Sequence, residues 1–133
     1  MSNRLLKLAC GFIATIFAAC TSSTESVSSE FIARVDSVSG PTAVSGGIAA
    51  EQHLWGTVGP KGCTIFKEVR STRVASTMDV TVIGEHVAGA TCSSGSVSLN
   101  GLDVHIEPLI LNDFSLVVHQ PDGSKLVRRI YGE

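Results

Sequence analysis

From residue 30 onward, polar and apolar positions alternate with a period of two. In "FIARVDSV", Phe31, Ala33 and Val35 share one face and Arg34 and Asp36 the other. "MDVTV" groups Met78, Val80 and Val82 against Asp79 and Thr81. "LDVHIE" groups Leu102, Val104 and Ile106 against Asp103, His105 and Glu107, and "FSLVVH" lines up Phe114, Leu116 and Val118. Such alternation marks strands with one face on a core. The many β-branched residues fit a pleated surface. The pattern predicts about seven strands, near 30–38, 48–58, 63–74, 77–87, 96–99 (joined to or separate from 102–107), 113–119 and 124–131.

Turn chemistry punctuates these segments. "GPKG" at 59–62 has Pro second and Gly fourth, which suits a type I turn. Asn100–Gly101 and Asp122–Gly123 are hairpin-type signals. A hairpin turning at Ala75–Ser76 would bring residue 63 opposite the region of residue 88, so Cys63 and Cys92 would fall at one end of it. The expectation is an all-β domain. Seven short antiparallel strands in about 100 residues resemble an immunoglobulin-like β-sandwich, with a small β-barrel as the alternative. The resemblance is architectural, since Trp55 precedes both cysteines instead of standing between them.

The start of the chain has a different pattern. Arg4 and Lys7 precede "LACGFIATIFAA", twelve residues without a charge. That is the layout of a secretory signal, and it is shorter than the roughly 20 apolar residues that cross a bilayer. The run ends in "FAAC", which resembles the lipobox of bacterial lipoproteins. The resemblance implies cleavage before Cys20 and a lipid on its thiol. "TSSTESVSSE" then follows, with Val27 its only apolar residue, and reads as a flexible tether. The expected organisation is a signal over 1–19, a tether over 20–29 and the β domain over 30–133. Several acyl chains on one cysteine anchor firmly, because each buried methylene contributes about 0.8 kcal/mol. The expected location is the cell envelope, the outer membrane where the cell has one.

Charge and cysteines narrow the function classes. Of ten Lys/Arg, two lie in the signal, leaving eight against twelve Asp/Glu, a net charge of −4. Arg128–Arg129 is the only adjacent basic pair, so no basic stripe for nucleic acid is present. With Cys10 in the signal and Cys20 under the lipid, Cys63 and Cys92 remain. In an oxidising compartment that pair reads as a disulfide closing a loop of about 30 residues, worth about 3.5 kcal/mol in the chain-entropy description. A reactive or metal-binding pair is the alternative reading.

Candidate chemistry is sparse. Asp103, His105 and Glu107 offer three potential metal ligands on one strand face. They form a row with neighbours about 6–7 Å apart, which does not make a cage. His53, His86 and His119 form no HExxH, and no GxSxG accompanies the Glu85–His86 pair. No catalytic residue and no cofactor are nominated. Trp55 in "QHLWGTVG" is the sole tryptophan, and a core position is its default. Alternation nevertheless groups it with His53 and Thr57, a polar set, so Trp55 and His53 are the candidate binding surface. The serine-rich loop around Cys92 is a second place for binding. The expected function is a non-enzymatic, lipid-anchored module that binds an envelope protein or polymer. A small extracytoplasmic metal-binding protein is the alternative.

Overall fold

A computed structural model describes residues 27–108 and 113–133. The signal segment, Cys20 and the tether as far as residue 26 lie outside the described residues. All regular structure described is β. The strands in chain order are β1 (Ser29–Ile32), β2 (Arg34–Ser39), β3 (Ala43–Val44), β4 (Ala50–Pro60), β5 (Thr64–Val74), β6 (Thr77–His86), β7 (Ser96–Ile106), β8 (Asp113–His119) and β9 (Lys125–Gly132).

These strands form two sheets. The smaller is antiparallel, in the order β2-β4-β7. The larger has six strands, β1-β6-β8-β9-β3, with β5 also paired to β6. β1 pairs with β6 at residues 83–86, while β8 pairs with it at 77–80. The inward residues of both sheets meet in one core, where Leu54, Val80, Ile106, Phe114, Leu116 and Ile130 are buried. The inward sets expected for 78–82, 102–106 and 114–118 lie in it, except that Leu102 is only partly buried and packs against it.

The expected strand over 30–38 is two strands. The chain leaves the larger sheet at Ala33, whose N–H donates to the Val82 carbonyl at 2.9 Å, and enters the smaller one as β2. Alternation survives the crossing, so Ala33 and Val35 are both buried. Together with the two-residue β3, this split raises the strand count from about seven to nine. The expected purely antiparallel pairing is also corrected. β6–β8 and β3–β9 are parallel pairs. After β6 the chain crosses to the smaller sheet as β7, and β8 returns beside β6 running the same way.

β1 is held by charge. Glu30 and Glu85 are directly opposed, a repulsive pairing on its own. Lys67 bridges them, with Nζ 2.7 Å from Glu30 and 2.8 Å from Glu85, and Arg70 joins Glu30 to Glu68. Hydrogen bonds from Lys67 and Arg70 hold the Glu30 carboxyl below its ordinary range. Those from Lys67 and Ser28 do the same for Glu85. A depressed carboxyl contributes its stability above the ordinary carboxylate range and loses it as pH falls through the lowered value.

Gln120, in the β8–β9 turn, joins the two sheets. Its Nε2 donates to the Val35 carbonyl at 2.9 Å, and its Oε1 accepts from the Val35 N–H at 3.1 Å. The side-chain amide thus substitutes for a strand partner beside the bulge at Val35/Ser37.

Two turns sit where expected and one signal does not make a turn. The β5–β6 hairpin turns at Ala75–Ser76, and Asp122–Gly123 joins β8 to β9. "GPKG" turns one residue later than expected. Pro60 stays in β4, and Gly62 has φ +88°, a conformation a type I turn does not require. Asn100–Gly101 is a β-bulge inside the continuous β7. Leu54 and Trp55 of β4 pair with Leu102 and Asn100, leaving Gly101 as the extra residue at φ +73°. Ala75 is the one described non-glycine residue at positive φ, at 50°. Its Cβ is strained there, so Ala75→Gly is expected to stabilise the domain by about 0.5–1 kcal/mol. Thermal unfolding checks this; a lowered midpoint contradicts the turn geometry.

Candidate functional site

The outer face of the smaller sheet follows from the parity of β4. Ala50, Gln52, Leu54 and Val58 point inward, so Glu51, His53, Trp55 and Thr57 point outward. Gln52 lies in the interior, where its Nε2 donates to the Pro41 carbonyl at 2.9 Å while its Oε1 is buried without a hydrogen-bond partner among the described residues. Trp55 is therefore not a core residue. Its side chain is on the surface, with the residue 44% exposed. The default expectation for a lone tryptophan is corrected, because Leu54 already occupies the inward position beside it.

The indole is pinned in place. Its Nε1–H donates to Ser39 Oγ on β2 at 2.8 Å. Its six-membered ring lies over Gly101 of the β7 bulge, where an added Cβ would be 3.1 Å from Cζ2. The ring thus lies against β7 at Gly101 while part of the residue stays open to solvent. A bulge glycine is the feature that lets an aromatic ring lie this close to a strand.

Beside the indole are two His–carboxylate pairs set by register. His53 is opposite Asp103, and Glu51 is opposite His105. His53 Nδ1 donates to Asp103 Oδ1 at 2.6 Å, and His105 Nδ1 donates to Glu51 Oε1. An ionised carboxylate only accepts, so each bond defines the tautomer, with the proton on Nδ1. The hydrogen bond to Glu51, followed by the Coulombic attraction of the same carboxylate, pushes the His105 pKa up. Asp103 and His105 of the expected row are thus each engaged by a partner on β4. Glu107 contributes its backbone carbonyl to Arg73 Nη1 at 3.1 Å. Among the described residues, no group of three or more His, Cys, Asp or Glu side chains is placed to hold a metal ion.

Ser39, His53 and Asp103 lie in line across three strands. The row resembles a nucleophile–base–acid order, but its first link is missing. Among the described residues no hydrogen bond joins Ser39 to His53, and the Ser39 oxygen is engaged by Trp55. The arrangement presents hydrogen-bonding groups and an aromatic face.

The remaining candidates serve the scaffold. His119 Nε2 donates to Asp79 Oδ1 at 2.7 Å, tying β8 to β6. His86 stacks on Phe31, with ring centroids 4.4 Å apart. Cys63 and Cys92 are bridged, with Cα atoms 4.7 Å apart. Ser93 N–H and Oγ both donate to the Lys61 carbonyl, so the loop around Cys92 is held against the β4–β5 turn. Shallow clefts among the described residues lie elsewhere. One of about 360 Å³ is lined by Phe31, Ile32, Val58, Pro60, His86 and Pro121. Another, of about 250 Å³, is lined by Arg34, Asp36, Gln120, Asp122 and Lys125.

No protein-family model, no curated protein and no solved structure matches this chain. The site's meaning rests on its geometry.

Proposed function

We propose that this chain is a lipid-anchored cell-envelope protein. Its β domain, an immunoglobulin-like sandwich, is a non-enzymatic module that meets an envelope protein or polymer through the Trp55 face. The observation that carries the binding reading is the pinned, half-exposed indole. A tryptophan held rigid at the surface has already lost its rotamer freedom and keeps one apolar face in water, which is the profile of an interface anchor. The basic head, the apolar run and "FAAC" before a polar tether support export and lipidation at Cys20. Two sheets packed on one core support the sandwich reading, while the parallel β6–β8 pair departs from the usual pattern.

The experiment compares wild type with Trp55→Ala and Cys20→Ser in the native host. Trp55→Ala removes a half-buried, hydrogen-bonded indole and should cost about 1–2 kcal/mol while leaving the domain folded. It should nevertheless remove the partner crosslinked to the wild-type domain in intact membranes. An unchanged crosslinking pattern sinks the Trp55 face as the contact surface. Cys20→Ser should leave an unlipidated precursor by mass spectrometry. The same unmodified N-terminus in both proteins sinks the anchor.

A further inference from the structure

We propose that the Trp55 face docks a segment of a partner protein that carries arginine or lysine, with one cationic head seated on the open face of the indole beside Asp103. The inference rests on the Trp55 face being the contact surface, and adds the chemistry of what it contacts.

Charge complementarity on the outer sheet face selects a cationic partner. β2 brings Arg34 and Asp36 to this side, but they satisfy each other at 3.0 Å. β4 brings Glu51 and His53, and β7 brings Asp103 and His105, with Glu107 just beyond its end. Among the described residues no lysine or arginine side chain forms an ion pair with Glu51, Asp103 or Glu107. Arg73 of β5 donates to the backbone carbonyls of Glu107 and Ala75 and lies over the Phe114 ring. With neutral imidazoles, the carboxylates of Glu51 and Asp103 are hydrogen-bonded yet keep their full negative charge. Asp103 follows Gly101 by two residues, so its side chain stands about 7 Å along the strand from the ground under the indole ring. A guanidinium on that ring is in cation–π contact and within ion-pair reach of Asp103 at once. Glu51 and Glu107 extend the acidic track for further basic residues. An extended protein segment carries several basic side chains and can engage Asp103, Glu51 and Glu107 together, which a single small amine does not.

The track is adjustable by pH. Protonation of His105, favoured by Glu51, cancels the Glu51 charge. The face therefore loses negative charge as pH falls from about 8 to about 5, and attraction for a cation weakens in that direction.

The test uses the full protein purified from membranes in neutral detergent, with a short oligoarginine peptide as probe and its oligoglutamine counterpart as control. Trp55 is the only tryptophan, so its fluorescence reports on the site directly. The oligoarginine peptide should quench it saturably, and the glutamine peptide should not. Affinity should fall with added salt, and also from about pH 8 to about pH 5. Calorimetry should show about tenfold or greater loss for Trp55→Ala and for the paired change Glu51→Gln with Asp103→Asn, with Trp55→Phe retaining part of the binding. Equal response to both peptides, no response to oligoarginine, or affinity unaffected by the carboxamide pair overturns the inference. If the native crosslinked partner is lost with Trp55→Ala but kept with the carboxamide pair, the contact surface stands and its cationic specificity falls.

Discussion

Gly56→Ala is expected to lower stability by about 3 kcal/mol or more, a large fraction of the roughly 5–15 kcal/mol that holds a domain folded. Gly56 is in the central strand of the smaller sheet, opposite Val35 on β2 and Leu99 on β7. A methyl group there would lie 2.1 Å from the Arg34 carbonyl oxygen and 2.9 Å from the Val35 Cα. Both are backbone atoms, so no rotamer change relieves the clash. β2 would have to move away from β4, taking with it the buried Val35 and the double hydrogen bond from Gln120. Thermal unfolding should show a fall of about 12 °C or more, since 1 kcal/mol corresponds to about 4–8 °C in a domain of this size. Ser98→Ala, at an exposed position on neighbouring β7, is the control and should be nearly silent. A midpoint for Gly56→Ala within about 2 °C of wild type would contradict the close approach of β2 to β4.

Removing the disulfide is the second large effect. Cys63 and Cys92 are 29 positions apart, and freeing a loop of that length costs about 3.5 kcal/mol in the chain-entropy description. The Cys63→Ser, Cys92→Ser double variant should lose about 2–4 kcal/mol, and wild type under reductant should lose a similar amount. A local effect should accompany the global one. The bridge and the Ser93–Lys61 hydrogen bonds hold the same loop to the β4–β5 turn. Hydrogen exchange at Ser93 and at Lys61, whose N–H donates to the Gly95 carbonyl, should accelerate before the core opens. Identical unfolding midpoints for oxidised and reduced protein would refute a stabilising bridge.

The two effects differ in where they act. The glycine substitution raises the free energy of the folded state through steric overlap. Loss of the bridge acts mainly by enlarging the unfolded ensemble. Denaturant unfolding separates them. The slope should change more for the cysteine variant, because its unfolded chain is less compact, while the glycine variant should mainly shift the midpoint.

The Trp55 face shows how far a sequence pattern carries. The parity of β4 already grouped Trp55 with His53 and Thr57, all outward in the structure. The preference of tryptophan for cores pointed the other way and was misleading. Alternation prevails because strand geometry turns every second side chain to the same side, whatever its chemistry. The inward set was hard to see, since it includes the polar Gln52, whose Nε2 donates to the Pro41 carbonyl. The Asn100–Gly101 pair shows the opposite limit. A hairpin turn and a bulge both need a left-handed glycine, so local chemistry is the same for either. Pairing of β7 along β4 on both sides of Gly101 selects the bulge, and that bulge is the seat of the indole.

By itself the sequence determined the all-β class, most strand spans, the inward residues of β6, β7 and β8, and the proximity of Cys63 to Cys92. These depend on period-two patterning and on one local hairpin, which are properties of contiguous residues. Tertiary structure alone decided the rest. It split the first strand between two sheets at Ala33, set β8 parallel to β6, and paired Asp103 with His53 and His105 with Glu51. Each of these is a choice of partner between segments far apart in the chain. Such choices follow from how all the inward faces pack into one core at once, and no local pattern carries that information.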